Sequence, residues 1–287
     1  MSHLVDLRGK TVAMTGCTGG IGKELCRHLL RAGATLVLID RSKDRSEALR
    51  QNLETEFPNV SLTALYADME DIVSVKAVCE ELERMPLDIL ILNAGAYSIP
   101  RHRTSLSVDN VFQINALAPY YMTKRLLPTL RRRGGRVVAV GSIAHRYSKT
   151  DRADVDFKTR SAASLVYGNA KRRLMFSLYE LFRAETDVAL AVCHPGITLT
   201  NITAHYPKWV FALIKYPMKV LFMSPRKAAL SIVEGCVTPC GYREWIGPRW
   251  LDIWGLPRKA TLRSCKRDEC QAIYREMETC IKEKALK

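Results

Sequence analysis

No stretch of this chain reaches the roughly 18–20 uncharged apolar residues that a bilayer-spanning helix requires, so it does not read as an integral membrane protein. No CxxC pair occurs: the nine cysteines stand scattered at 17, 26, 79, 193, 236, 240, 265, 270 and 280. The six histidines are isolated, and none joins a cysteine at zinc spacing. Neither a metal centre nor a disulfide framework is therefore expected, and reduced thiols in a cytosolic compartment are the expectation. The opening residues MSHLVDLRGK hold no apolar core, so no secretory leader is expected either. Glycine (16) and proline (12) are too few for a fibrous or low-complexity chain, and no repeat or Pro/Ser-rich linker divides the sequence. Acidic residues are scarce against basic ones, 29 to 44, which leaves a net charge of +15.

What is present suits one folded domain. The chain has 287 residues, 47% of them hydrophobic, enough to bury a sizeable core without staples. Residues 201–287 carry 16 basic and 8 acidic side chains, so over half of the excess charge sits in under a third of the chain. Nucleic acid, an anionic membrane face or acidic ligands could each answer such a charge. A nucleic-acid reader would interleave its cations with aromatics on a recognisable scaffold. Arg131-Arg132-Arg133 instead precedes Gly134-Gly135 at the end of a helical stretch, where cations complement the helix dipole, so no nucleic-acid partner is expected.

Short β-branched runs alternate with amphipathic stretches. Strands are expected at 11–14, 35–39, 60–65, 89–92, 137–140 and 188–193, with a glycine-led helix through Leu25–Leu30 and a charged one over 45–56. Runs apolar on both faces, alternating with helices, imply a parallel sheet covered on both sides. The rhythm breaks after Ile197. Residues 206–223, YPKWVFALIKYPMKVLFM, are apolar yet contain three lysines and two prolines. They suit a helix pair packed on its own domain, a lid over an apolar ligand, or a surface that dips into lipid with its lysines at the headgroups. The stretch 197–235 is read as a substrate lid, and 243–287 as a basic C-terminal extension of the same domain.

Directly after the first strand comes Thr15-Gly16-Cys17-Thr18-Gly19-Gly20-Ile21-Gly22, opening a helix. Glycine there allows a tight turn, close backbone approach to a pyrophosphate, and close packing of helix on strand. The helix N-terminus offers unpaired N–H groups and a positive dipole end to phosphates. Asp40 closes the second strand 18 residues after Gly22, where a carboxylate can accept from both ribose hydroxyls of NAD and repel the 2′-phosphate of NADP. Arg41 follows and could offset that repulsion, so NAD is the expected cofactor and NADP the alternative. The fold expected is α/β: one Rossmann domain, a doubly wound parallel sheet of about seven strands with helices on both faces.

Tyr167-Gly168-Asn169-Ala170-Lys171 places a phenol and an ammonium four residues apart, on one helix face. A nearby cation lowers a phenol's pKa and makes it a usable acid and base. By chance such a pair is expected about 0.65 times in this chain, so its company has to carry it. Ser142 follows the fifth strand in Val140-Gly141-Ser142, at the C-terminal edge of the sheet where ligands of such folds bind. Asn115, in Gln113-Ile114-Asn115-Ala116, reads in isolation as an ordinary helix asparagine.

From the turn TGxxxGxG onward the sequence resembles the short-chain dehydrogenase/reductase family, over about residues 7–200. Asn93-Ala94-Gly95 resembles that family's NAG element, Asp68 (with Met69) its acidic residue near the adenine, and Pro195-Gly196, with Thr198 and Thr200, its segment beside the nicotinamide. The resemblance implies a cofactor site made of Thr15, Gly16, Thr18, Gly19, Gly20, Ile21, Gly22, Asp40, Arg41, Asp68, Met69, Asn93, Ala94, Gly95, Tyr167, Lys171, Pro195, Gly196, Thr198 and Thr200. It implies a catalytic tetrad of Asn115, Ser142, Tyr167 and Lys171. Tyr167 would exchange the hydroxyl proton and Ser142 would orient and polarise the carbonyl. Lys171 would hold the nicotinamide ribose and depress the Tyr167 pKa, and Asn115 would support a water relay. The 25-residue spacing from Ser142 to Tyr167, and Ser142-Ile143-Ala144-His145, resemble the branch of retinol dehydrogenases and related lipid-alcohol enzymes. Many of that branch favour NADPH and lack an acidic residue at the place of Asp40.

The expected function is interconversion of a secondary alcohol and its ketone or aldehyde, on a lipophilic substrate such as a steroid, retinoid or other lipid alcohol. The alternatives are a reductase of small polar carbonyls and a non-catalytic dinucleotide sensor or scaffold. A homo-oligomer, cytoplasmic with peripheral membrane contact, completes the expectation.

Overall fold

The computed structural model describes residues 5–148, 150–151, 154–155, 157–159, 162–198 and 223–284. Thr200 and all of the apolar stretch 206–223 except Met223 lie outside them. One eight-stranded sheet organises the chain, in the order β3-β2-β1-β4-β5-β6-β7-β8. The strands are β1 Thr11–Thr15, β2 Thr35–Asp40, β3 Leu62–Tyr66, β4 Ile89–Leu92, β5 Arg136–Val140, β6 Ala189–Cys193, β7 Glu244–Trp250 and β8 Trp254–Thr261. The first seven run parallel, and β8 turns back antiparallel on β7 as the edge strand. The eight strands match the expected sheet of about seven, and β7 and β8 are the two with no range in the sequence reading: the stretch read as a basic extension begins with a sheet hairpin.

The central strands are apolar on both faces because both faces are covered. Helices α1 (Gly20–Arg31), α2 (Lys43–Glu56) and α6 (Pro225–Gly235) lie over one core, through Leu25, Leu49, Leu53 and Ile232. Helices α3 (Ile72–Glu83), α4 (Ala118–Arg131), α5 (Ala163–Leu181) and α7 (Arg267–Glu283) cover the other, through Val75, Leu126, Leu174 and Ile273. Local chemistry starts several of them. Ser42 caps α2 by accepting from the N–H of Arg45, and Asp71 caps α3 by accepting from Val73 and Ser74. Pro225 opens α6 behind the capping Ser224. The triple arginine ends α4 as expected of dipole-complementing cations, and two of its members pair, Arg131 with Glu185 and Arg133 with Asp88. No helix among the described residues is long and apolar enough to cross a membrane.

The chain leaves β3, β2 and β1 in one direction and β4 onward in the other, so the winding reverses between β1 and β4. The crevice outside the carboxyl ends of those two strands is where such a sheet receives a ligand.

Candidate active site

On the β1 side of that crevice the glycine turn is fastened from β4. The Thr15 hydroxyl accepts from the backbone N–H groups of Asn93 (3.1 Å) and Ala94 (3.0 Å). The Asn93 amide donates back to the carbonyls of Thr15 and Gly16, each at 3.0 Å. Gly16 has φ +73°, and a Cβ on it would lie 2.9 Å from Ala94 Cα; one on Gly22 would lie 2.2 Å from the Gly16 oxygen. The turn therefore closes only with glycine at both positions. Helix α1 starts with Gly19 as N-cap, no side-chain cap and no acidic residue in its first turn, and only the Gly16 oxygen lies near the space a Gly19 side chain would take. The free N–H groups of the first turn, a positive dipole end and open space fit a dinucleotide's pyrophosphate, which Gly20, Ile21 and Gly22 would hold beside Gly19.

Asp40 is nearly buried, and its carboxylate is already engaged. One oxygen accepts from both the N–H and the hydroxyl of Thr18 at 2.9 Å, and the other accepts from the N–H of Arg41 at 2.9 Å. It clasps the glycine turn. To take both ribose hydroxyls, as the sequence suggested, it would have to release Thr18. Arg41 is exposed beside it, and the Arg45 guanidinium donates to the Thr18 carbonyl at 3.3 Å. Two cations thus stand at the mouth where Asp40 is occupied. Asp68 accepts from the N–H of Glu70 at 3.0 Å, and the buried Met69 is held through its carbonyl by Gln113 at 3.1 Å. Pro195, Gly196 and Thr198 follow β6, with Thr198 bridged to Met223.

Across the crevice stand the four residues of the expected tetrad. Ser142 follows β5 and caps a short 3-10 turn, Ile143–Arg146, accepting from the N–H of Ala144 at 3.2 Å. Tyr167 and Lys171 lie one turn apart on α5, and the Ser142 hydroxyl lies near enough to Tyr167 to favour its phenolate. The Lys171 ammonium lies 5.8 Å from the Tyr167 ring centre and donates to the Val140 carbonyl at 2.9 Å. Gly95 brings Lys171 and Asn115 to one point: a Cβ there would sit 3.4 Å from the Lys171 ammonium and 2.9 Å from the Asn115 amide oxygen.

Asn115 falls in a π-helical turn, Gln113–Leu117, that leads into α4. Such turns widen the backbone and mark functional places in helices. Its amide nitrogen donates to the carbonyls of Ala96 and Val111, both at 2.9 Å, and its oxygen accepts from the N–H of Ala96 at 3.2 Å. Both ends of the side chain are spent on backbone, so Asn115 braces the loop after β4 against the helix.

Burial pushes the Tyr167 phenol up to about 12, opposed by the Ser142 hydroxyl, and pulls the Lys171 ammonium down to about 8. The expected depression of the phenol by Lys171 is thus not seen in the chain alone: loss of water outweighs every stabilising neighbour.

Three further residues shape the site and were not anticipated. Tyr97 packs edge-on against Tyr167 at 5.3 Å. His145 is buried: its Nδ1 lies 2.6 Å from the Ser142 carbonyl and its Nε2 2.7 Å from the Ser264 hydroxyl. The carbonyl can only accept, so Nδ1 carries the proton and Nε2 accepts from Ser264. Arg172 donates to the His145 carbonyl at 2.9 Å and forms a bidentate pair with Glu269 at 2.6 Å. Tyr97 follows the NAG element closely and could have been suspected; nothing in the sequence joins His145 to Ser264.

A family model described as short chain dehydrogenase matches residues 10–210. Dehydrogenase/reductase SDR family member 13 of Bos taurus is 32% identical over 255 residues, 85% of this chain and 65% of that one. Retinol dehydrogenase 12 of Mus musculus is 31% identical over 204 residues, 69% of this chain and 65% of that one. The chain spans about 65% of the length of both relatives. Among solved structures, an uncharacterised protein of Mycobacterium paratuberculosis superposes with a TM-score of 0.78 at 23% identity, covering 98% of this chain and 96% of that one, a likeness of fold.

Proposed function

The chain belongs to the short-chain dehydrogenase family, and on that premise we propose that it is an NAD(P)-dependent oxidoreductase interconverting a lipophilic alcohol and its ketone or aldehyde. The observation that carries this reading is the meeting of Tyr167 and Lys171, 5.8 Å from ring centre to ammonium and beside Ser142, across the crevice from an uncapped glycine turn.

A bound dinucleotide supplies the hydride acceptor or donor; the chain's own residues do the rest. The glycine turn holds the pyrophosphate. The Ser142 hydroxyl donates to the substrate oxygen and fixes it next to Tyr167. In oxidation the Tyr167 oxygen takes the alcohol proton, and in reduction its O–H returns it. Lys171, which donates to the Val140 carbonyl in the chain alone, holds the nicotinamide ribose when the dinucleotide is bound. Asn115 keeps the backbone between β4 and α4 in place.

The lipophilic class, a retinoid, steroid or other lipid alcohol, is supported by the likeness to a retinol dehydrogenase and by the apolar sequence of 206–223. The charge of 201–287 supports peripheral contact with an anionic membrane face. The test is a panel of retinoid, steroid and short-chain alcohols with NAD or NADP, followed by the absorbance of the reduced nicotinamide. Turnover of a lipophilic alcohol, lost in Tyr167→Phe, is expected. Turnover of small polar substrates alone would overturn the substrate class. Dinucleotide binding with no turnover of any alcohol or carbonyl would point to a sensor instead.

A further inference from the structure

Eight large apolar or aromatic side chains are exposed among the described residues, and four of them lie on the β7–β8 hairpin: Trp250 (56%), Leu251 (82%), Trp254 (52%) and Leu256 (72%). Trp250 and Trp254 face each other across the ladder, with ring centres 6.2 Å apart. Trp254 and Leu256 alternate along β8 and share one face with Arg258. The Arg249 guanidinium stands 5.8 Å from the Trp250 ring centre. Over residues 243–267 seven basic side chains meet two acidic ones.

The turn itself is unfavourable for folding. Its central residues, Leu251 and Asp252, have φ +52° and +59°, and the Ile253 N–H bonds the Trp250 carbonyl at 2.9 Å. Such a turn favours Asn or Gly. A leucine there strains the backbone and buries nothing in return. Neither the local conformation nor the core accounts for it, so a partner outside the chain does.

We infer that this hairpin docks the protein on an anionic phospholipid bilayer. Leu251 and Leu256 enter the interface, the two tryptophans sit at headgroup depth, and Arg249 and Arg258 meet the lipid phosphates. A second copy of the chain fits this edge poorly. Pro257 lacks the N–H that a continuing ladder needs, and Arg258 and Lys259 would bring like charges together. The hairpin is fixed to the reaction centre at its tip. Arg146, in the turn after Ser142, donates to Asp252 at 2.7 Å, and the Ile197 N–H bonds the Ile253 carbonyl at 3.3 Å. Docking therefore sets the loops that follow Ser142 and Pro195 against the lipid, where a lipophilic alcohol is dissolved. This last consequence rests on the proposed substrate class; the docking itself does not.

The experiment sediments the full chain with vesicles of phosphatidylcholine, with and without phosphatidylserine, at low and high salt. It compares wild type with Leu251→Asn/Leu256→Thr. Asparagine suits the left-handed position, so the variant's thermal midpoint should hold while binding to phosphatidylserine vesicles falls roughly tenfold or more. Turnover of a water-soluble short-chain alcohol should be unchanged, which keeps the catalytic reading separate. Binding by the variant equal to wild type would overturn the hairpin's role while leaving membrane contact standing. No binding by wild type would overturn both. A wild-type mass in equilibrium sedimentation that halves in the variant would assign the patch to a contact between copies and overturn the lipid reading.

Discussion

The glycine turn and the Ser142 loop end β1 and β5, which flank the same strand, β4, yet their fastenings come from different distances. Around the glycine turn the bonds close within residues 15–94: Thr15 with Asn93 and Ala94, Thr18 with Asp40. Around Ser142 they come from the C-terminal third: His145 to Ser264, Arg146 to Asp252, Arg172 to Glu269. The nucleotide end is a self-contained motif that a short piece of sequence can specify. The catalytic end is assembled only when the last third of the chain has folded onto it. The two ends should therefore respond separately to substitution.

Tyr167→Phe should break that separation most sharply, with turnover falling roughly 10³-fold while dinucleotide binding, read by calorimetry, is unchanged. Loss of both together would mean that Tyr167 supports the fold rather than the proton. His145→Ala comes next. Losing the link from Ser264 to the Ser142 carbonyl should lower kcat about tenfold to a hundredfold, with KM for the dinucleotide unaltered. His145→Asn, which restores an N–H donor toward that carbonyl, should recover part of kcat. A KM effect with kcat intact would place the coupling elsewhere.

Much of this architecture can be read from the sequence, for a physical reason. Strands buried on both faces must be apolar throughout, so 35–39 and 89–92 stand out unaided. The glycine turn is legible because close packing admits nothing larger at Gly16 and Gly22. The hairpin was hidden by Pro248 and Pro257, which demote a strand, and by its exposed charges. Asn115 looks ordinary because a π-helical turn leaves no periodic trace. Spacing alone does not show that one oxygen of Asp40 also accepts from the N–H and hydroxyl of Thr18.

Asp40→Ala sharpens the same contrast at the nucleotide end. If Asp40 serves as the clasp of the turn, affinity for NADH and NADPH should fall together, about tenfold, since the Thr18 N–H loses its partner. Weaker NADH with stronger NADPH would show instead that Asp40 reads the ribose.

The smallest effect concerns Lys171. Its folded pKa, about 8, lies below the ordinary 10.5, so between those values the unfolded chain binds more protons than the folded one. Stability then rises with pH across that window, and below pH 8 the full cost of burying the charge is present. Relative to Lys171→Met, the wild-type thermal midpoint should climb from pH 8 to 10.5. A difference independent of pH would place the lysine in a hydrated site.

The most direct test of the central claim is thermal unfolding of the wild-type chain with NADH, with NADPH and with neither, because a ligand bound only by the native state raises the midpoint. A rise with at least one of the two is expected from the uncapped helix behind Gly19. An unchanged midpoint with both, at saturating concentrations, would contradict the assignment of this crevice to a dinucleotide-dependent reaction.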